Sequence, residues 1–213
     1  VSATTYCGPG LANTVVALPV TATGFPVTVG AGGAGTTVPQ GTPADASAGN
    51  NSTFSTITSQ GGGGSVGHGN PAPTNVADTS FGSGGSAGNP SACGTYIARS
   101  GNTPPVTPAQ GKDGGTAWNS PGSPAFIGGG GGGAGAVGVP GETPNFATTS
   151  GNGGAGDTNS INGTPTARGG GGGGGAYLTP QTRANQGIGG AGGGGGGGYY
   201  NYPGPVICGA AGT

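Results

Sequence analysis

Gly169-Gly170-Gly171-Gly172-Gly173-Gly174-Gly175 is an uninterrupted run of seven glycines, and its backbone preferences decide what the chain can fold into. A helix is excluded, because each glycine costs ~1 kcal/mol relative to alanine in a helix interior. A sheet face is excluded as well, since there are no side chains to pack on it. An extended threefold helix of the polyproline-II type remains, rising ~3.1 Å per residue with no internal hydrogen bonds, so that seven residues span ~22 Å. Every N–H and C=O then points outward and must find a partner on a neighbouring segment. Without Cβ atoms such segments approach closely, and Cα–H···O contacts add ~0.5 kcal/mol each.

Glycine runs recur outward from this stretch. Pure ones lie at residues 61–64, 128–133, 169–175 and 192–198, and looser ones at 30–35, 82–88, 111–115 and 151–156, about eight in all. Between them lie connectors rich in Thr, Ser, Asn, Pro and Ala, which hold nearly every aromatic and charged residue. The expected fold is therefore irregular: a bundle of polyglycine-II helices with long variable loops, little α-helix and short β-structure near the N-terminus. Val20, Phe25, Val27 and Val29 supply the β-propensity there, and Pro19 and Pro26 restrict it to edge strands. This divides the chain into a β-rich lead-in, residues 1–29, and a glycine-rich bundle, residues 30–213. A collagen triple helix needs glycine at every third position throughout, which residues 74–81 and 103–110 break.

The positions of the larger side chains suit a bundle with two covered ends. Phe54, Phe81, Phe126, Phe146 and Ile161 precede glycine runs, whereas Tyr177, Tyr199 and Tyr200 follow them. If eight elements run up and down, Trp118 shares one end with Tyr199, Tyr200 and Tyr202. Tyr96, Arg99 and Arg183 then share the other. Exposed aromatics on rigidly held loops anchor recognition of protein or glycan, so Trp118, Tyr199, Tyr200, Tyr202 and Tyr96 are the candidate receptor-binding residues.

Composition excludes an α-helical bundle, a Rossmann sheet and a TIM barrel. With 59 glycines and 19 prolines among 213 residues, the chain resembles low-complexity sequence more than a globular domain. Leu, Ile, Val and Phe number 27, too few for an ordinary side-chain core. A formal net charge of −1 offers no field to attract nucleic acid, and no apolar run is long enough to insert in a membrane. The chain opens at Val1 and holds no Met, which leads us to expect a processed product or a piece of a longer chain. Cys7, Cys93 and Cys208 lack metal-ligand spacing. A disulfide between Cys93 and Cys208 would close a long loop, stabilising by ~4.7 kcal/mol in the chain-entropy model.

Motifs for catalysis or cofactors fail in context. Gly30-Ala31-Gly32-Gly33-Ala34-Gly35 fits the dinucleotide pattern, yet Pro39 and Pro43 prevent the helix that must follow it. Gly153-Gly154-Ala155-Gly156-Asp157 brings its aspartate one position too early for a calcium nonapeptide and has no second copy. Gly111-Lys112-Asp113 lacks the Ser or Thr of a P-loop. His68 stands between glycines with no orienting carboxylate or nucleophile near in sequence, and Asp45, Asp78, Asp113, Glu142 and Asp157 are isolated from one another. Asn50, Asn51 and Asn162 open N-x-[ST] triplets of little weight in so Asn- and Thr-rich a chain. The expectation is a protein without enzymatic activity, metal or cofactor.

Phe25-Pro26-Val27-Thr28-Val29-Gly30-Ala31-Gly32-Gly33-Ala34-Gly35, followed by Asn51-Ser52-Thr53-Phe54 and the run at residues 61–64, resembles the glycine-rich domain of bacteriophage tail and tail-fibre proteins. The alternation continues that style downstream, with connectors such as Ile161-Asn162-Gly163 and Tyr199-Tyr200. In plan it is similar to the distal tail-fibre adhesins of T-even-like phages, whose polyglycine-II bundle presents variable loops to a host receptor. The resemblance implies a virion or extracellular location. It implies as partners another tail-fibre or virion protein and a host surface protein or glycan, with self-association also open to such a chain.

Overall fold

The computed structural model describes residues 22–35, 45–65, 84, 94–96, 98–119, 126–141, 147–178, 183–201, 204 and 206–212. No α-helix occurs among them. Thirteen strands of two or three residues punctuate longer extended segments of the described residues, and those segments coincide with the glycine-rich stretches.

The segments are joined by backbone hydrogen bonds that recur every third residue. The N–H groups of Gly128, Gly131 and Ala134 donate to the carbonyls of Gly175, Gly172 and Gly169, so residues 128–134 and 169–175 run antiparallel. Gly151 and Gly154 donate to Gly128 and Gly131, which makes residues 150–156 parallel to residues 128–133. The intervening groups of residues 128–133 serve other neighbours: Gly130 and Gly133 donate to Val139 and Ala136, Gly115 and Lys112 donate back to Gly130 and Gly133, and Gly132 donates to Gly84. Residues 128–133 are all buried. The interior of this protein is thus made of peptide groups, and the obligatory hydrogen bonding of the backbone is met between segments instead of within a helix or a sheet.

Segments at the outside follow a different rule. In residues 136–141, Gly138 and Gly141 are buried while Val137 and Val139 are 58% and 44% exposed. A Cβ on Gly138 would collide with the carbonyl of Gly130, and one on Gly141 with Ile127 and Gly128. One position in three faces the neighbours, and only that position must be glycine. The same spacing appears at Gly187 and Gly190, at Gly209 and Gly212, and with alanine at Ala46 and Gly49. The side-chain-bearing core of the described residues is correspondingly small: Ala117 and Ile127 at 0% exposure, Ala176, and Ser150, whose Oγ donates to the Gly175 carbonyl at 3.0 Å.

Strands form where the segments leave the array, and they gather at two ends. One end carries a six-stranded sheet ordered β13-β12-β10-β6-β5-β4, made of Val206–Ile207, Tyr199–Asn201, Ala176–Leu178, Phe126–Ile127, Ala117–Asn119 and Gly94–Tyr96. Beside it lies the parallel pair β7 (Ala147–Thr149) and β11 (Arg183–Asn185), the latter against β10. The opposite end carries the sheet β1-β2-β3 (Val27–Thr28, Ser52–Phe54, Ile57–Ser59), the hairpin β8-β9 (Asp157–Asn159, Thr166–Arg168) and the bends at residues 134–136 and 191–193. The loop of residues 102–110 joins this end through Gln110, whose Oε1 accepts from the Gln60 N–H at 2.6 Å and whose Nε2 donates to the Thr58 carbonyl at 3.2 Å. Phe25 stacks on Phe54 there, with ring centroids 5.6 Å apart. The turn at residues 191–193 needs glycine for a conformational reason, because Gly192 and Gly193 have φ of 97° and 101°, the region that side chains disfavour.

Neighbouring glycines should therefore differ sharply in tolerance. A Cβ on Gly130 would fall on the Asn152 carbonyl, whereas on Gly131 its nearest neighbour is the Gly172 nitrogen at 3.4 Å, an ordinary contact. Gly130→Ala should cost ~2–3 kcal/mol through forced separation of two segments. Gly131→Ala should be neutral or stabilise by ~0.5 kcal/mol through the unfolded state. Thermal and denaturant unfolding of the two variants checks the difference.

Candidate functional site

Glycine segments offer no functional groups, so chemistry must reside where side chains return. The six-stranded sheet is the largest such place among the described residues. Its register sets Thr95, Trp118, Ile127, Ala176, Tyr199 and Ile207 opposite one another in successive strands. A second row sets Gly94, Asn119, Phe126, Tyr177, Tyr200 and Val206 opposite one another. Alternate rows belong to opposite faces of a sheet. The first row is packed at its centre, with Ile127 and Ala176 buried, and opens outward through half-buried Trp118 and Tyr199 to Ile207 at 39% exposure. The second places Phe126, Tyr177 and Tyr200 at matching register positions of three consecutive strands.

The structure brings together most of the aromatics singled out in the sequence, and it corrects how they divide between the ends. Tyr96 stands opposite Ala117, beside Trp118, in the same sheet as Tyr199 and Tyr200. It does not lie at the opposite end. Arg183 opens β11, which packs on β10, so it too belongs to this end. Arg99 follows β4 by three residues and pairs with Asp45 at 3.0 Å, the two side chains being 9% and 17% exposed. The reason is that residues 45–50, 98–101, 136–141, 186–191 and 208–212 are members of the array as well, so glycine runs alternate with return segments that carry side chains. Tyr202 and Cys93 lie outside the residues whose side chains are described, and Cys208 is exposed.

Phe126 and Tyr177 join the aromatic rows although their sequence context suggests end-covering, not binding. Position is their signal: like Trp118 and Tyr199, each adjoins the end of a glycine segment, where the chain passes from backbone packing to strand.

Elsewhere the described residues offer little chemistry. A cavity of about 500 Å³ lies among Gly62, Gly63, Ser65, Gly84 and the glycines at 131–132 and 169–173, and Ser65 supplies the one side chain on its wall among the described residues. Such a wall holds no acid, base or nucleophile beyond a hydroxyl. Among the described residues no three His, Cys, Asp or Glu side chains converge as a metal site would require. No helix of the described residues is long and apolar enough to cross a membrane.

The Arg99–Asp45 pair fastens residues 45–50 to the segment that leaves β4. Asp45→Ala takes the carboxylate away from a guanidinium that is 9% exposed, and should cost ~2–3 kcal/mol. Denaturant unfolding measures that loss, and Asp45→Asn should recover part of it.

Among known families, the model of the glycine-rich domain matches residues 6–213, and the chain belongs to that family. No curated protein and no solved structure matches it.

Proposed function

We propose that this glycine-rich domain protein is a phage tail-fibre-associated structural or adhesin protein, a rigid bundle of polyglycine-II helices that presents one end to a receptor on the host surface. The observation that carries the reading is the sheet register, which collects Tyr96, Trp118, Tyr199 and Tyr200 at a single end. The hydrogen bonds repeating at three-residue intervals support the polyglycine-II geometry, since a threefold extended helix returns to the same neighbour once per turn. An interior of interlocked backbone gives the end a stiff base, and rigidly held aromatics bind with little loss of conformational entropy.

On this reading the receptor is a host surface protein or glycan, the protein is carried on a virion or lies outside the cell, and its other contacts are with tail-fibre or virion proteins. It has no catalytic role and uses no cofactor. A second reading, an extracellular filament or virion structural subunit without receptor binding, is favoured by the exposed margins of the array at residues 31–35 and 208–212.

Binding of the fluorescently labelled protein to a panel of bacterial cells tests the receptor reading. Trp118→Ala and Tyr199→Ala should each weaken binding by ~30-fold, about 2 kcal/mol, as truncation of a central aromatic anchor does. Ile161→Ala, in the hairpin connector at the opposite end where Ile161 is 75% exposed, should leave binding unchanged. Loss through Ile161 with no effect of the sheet variants would reverse the assignment of ends.

A further inference from the structure

We propose that Asn162 is a site of spontaneous deamidation: the exposed turn of the β8-β9 hairpin converts an amide into a carboxylate, while the same dipeptide at Asn152-Gly153 is held inert by the array. The reaction needs neither a receptor nor an enzyme.

Asn-Gly occurs twice in the chain, at residues 152–153 and 162–163. Both copies put an amide carbon next to a nitrogen whose own residue has no side chain, the arrangement in which attack by that nitrogen is least hindered. At the second copy, the Gly163 nitrogen gives its proton to solvent hydroxide and attacks Cγ of Asn162. The N–Cγ bond forms, the Cγ–Nδ2 bond breaks, and ammonia leaves with a proton taken from water, which closes a five-membered succinimide. Water then opens the ring. Breaking the new N–Cγ bond leaves an aspartyl side chain on the original backbone. Breaking the bond between the Asn162 carbonyl carbon and the Gly163 nitrogen leaves an isoaspartyl linkage, with the main chain routed through Cγ and longer by one atom.

Local structure separates the two copies. Residues 161–165 are all exposed, and Gly163 has a φ of 84° with nothing within 4 Å of a Cβ built on it. Its N–H donates to the Ser160 carbonyl at 2.9 Å. Oδ1 of Asn162 accepts from the Thr164 N–H at 3.4 Å. This Asx turn curls the side chain over the Gly163 peptide, so Cγ and the attacking nitrogen belong to one small ring, and proximity of that kind lowers the barrier to cyclisation. Both bonds span only two or three residues, and a tip closed in this way opens without parting the packed segments.

Asn152 is clamped instead. Its Oδ1 accepts from the Ile188 N–H at 3.0 Å, and the Gly153 N–H donates to the Ile188 carbonyl at 2.9 Å. Electrophile and nucleophile are thus tied to one residue of a neighbouring segment. The Asn152 carbonyl accepts from Val139 besides, and a Cβ on Gly153 would strike the Gly171 carbonyl. Cyclisation here has to break the clamp and separate segments of the array. Conversion at Asn162 disturbs none of these contacts and adds a negative charge to a chain of formal net charge −1, at the end opposite the aromatic sheet. Older molecules therefore differ from new ones in charge at that end and, in the isoaspartyl fraction, in the path of the hairpin.

The full chain, held folded in warm, mildly alkaline buffer and in parallel unfolded in guanidinium chloride, is digested with trypsin at intervals. One peptide, residues 113–168, contains both asparagines, so its fragment masses give both rates from the same sample. In the folded protein Asn162 should deamidate ~30-fold faster than Asn152, equivalent to ~2 kcal/mol of local opening required at the array site alone. In guanidinium chloride the two rates should converge. A methyltransferase specific for isoaspartyl carboxylates should label the folded product at position 162. Equal rates at the two sites of the folded protein, or an Asn162 that stays intact while the denatured chain reacts, overturn the proposal. A preference for Asn162 that persists undiminished in guanidinium chloride overturns it as well, because the array would then not be what protects Asn152.

Discussion

A backbone amide that leaves water must be met by a carbonyl, and in this protein that requirement shapes the whole interior. In most folds the requirement is satisfied inside a helix or along a sheet, and side chains then decide how those units pack. Here the pairing and the packing are one event. Gly130 donates to Val139 and accepts from Gly115, while Gly131 beside it donates to Gly172 and accepts from Gly154. Each bond fixes the distance between two segments as well as their register. Any Cβ at an inward position must therefore displace peptide groups, which cannot rotate aside as a side chain would.

The same constraint decides what is legible in the sequence and what is not. The runs at residues 128–133 and 169–175 announce themselves because most of their positions, Gly130 and Gly171 among them, leave no room for a Cβ beside a neighbouring carbonyl. Residues 136–141 are equally part of the array, yet Val137, Val139 and Pro140 disguise them as a connector. Their signal is the glycine spacing Gly135, Gly138, Gly141, a three-residue period with an outward-facing remainder. Overlooking such return segments shifts the parity of the connectors, which is why Tyr96 and Arg183 belong with Trp118 and not opposite it. The short strand before Gly30 is legible from Val27 and its neighbours. Its pairing with β2 is not, because nothing in residues 52–54 names Val27 and Thr28 as partners.

Side chains are rationed by position. Within the array the larger apolar ones lie on outward faces, as Val137 and Ile188 do at 58% and 64% exposure, while buried Ser150 and the largely buried Arg99 are held by hydrogen bonds. At the ends, where segments pass into strands, bulk is permitted again, and there Trp118, Ile127, Tyr177 and Tyr199 enter the register. The cavity among the glycine segments offers volume without functional groups. The sheet, by contrast, offers aromatic surface on a scaffold that has few internal rotamers to order.

The three-residue ladder also sets which changes of length the chain can absorb. Lengthening a connector leaves the ladder of the array in register, so the bends at residues 102–110 or 160–165 can change size at the cost of local hydrogen bonds alone. Inserting one residue into residues 136–141 would turn the segment by a third of a revolution, bringing Val137 or Val139 to where Gly138 now meets the Gly130 carbonyl. An insertion of three residues would restore the facing. Residues 128–133 are blind to such a slip, since every position is the same. The alignment of the interior is therefore kept by the mixed segments around it, much as the teeth of a key and not its shank decide how far it enters the lock.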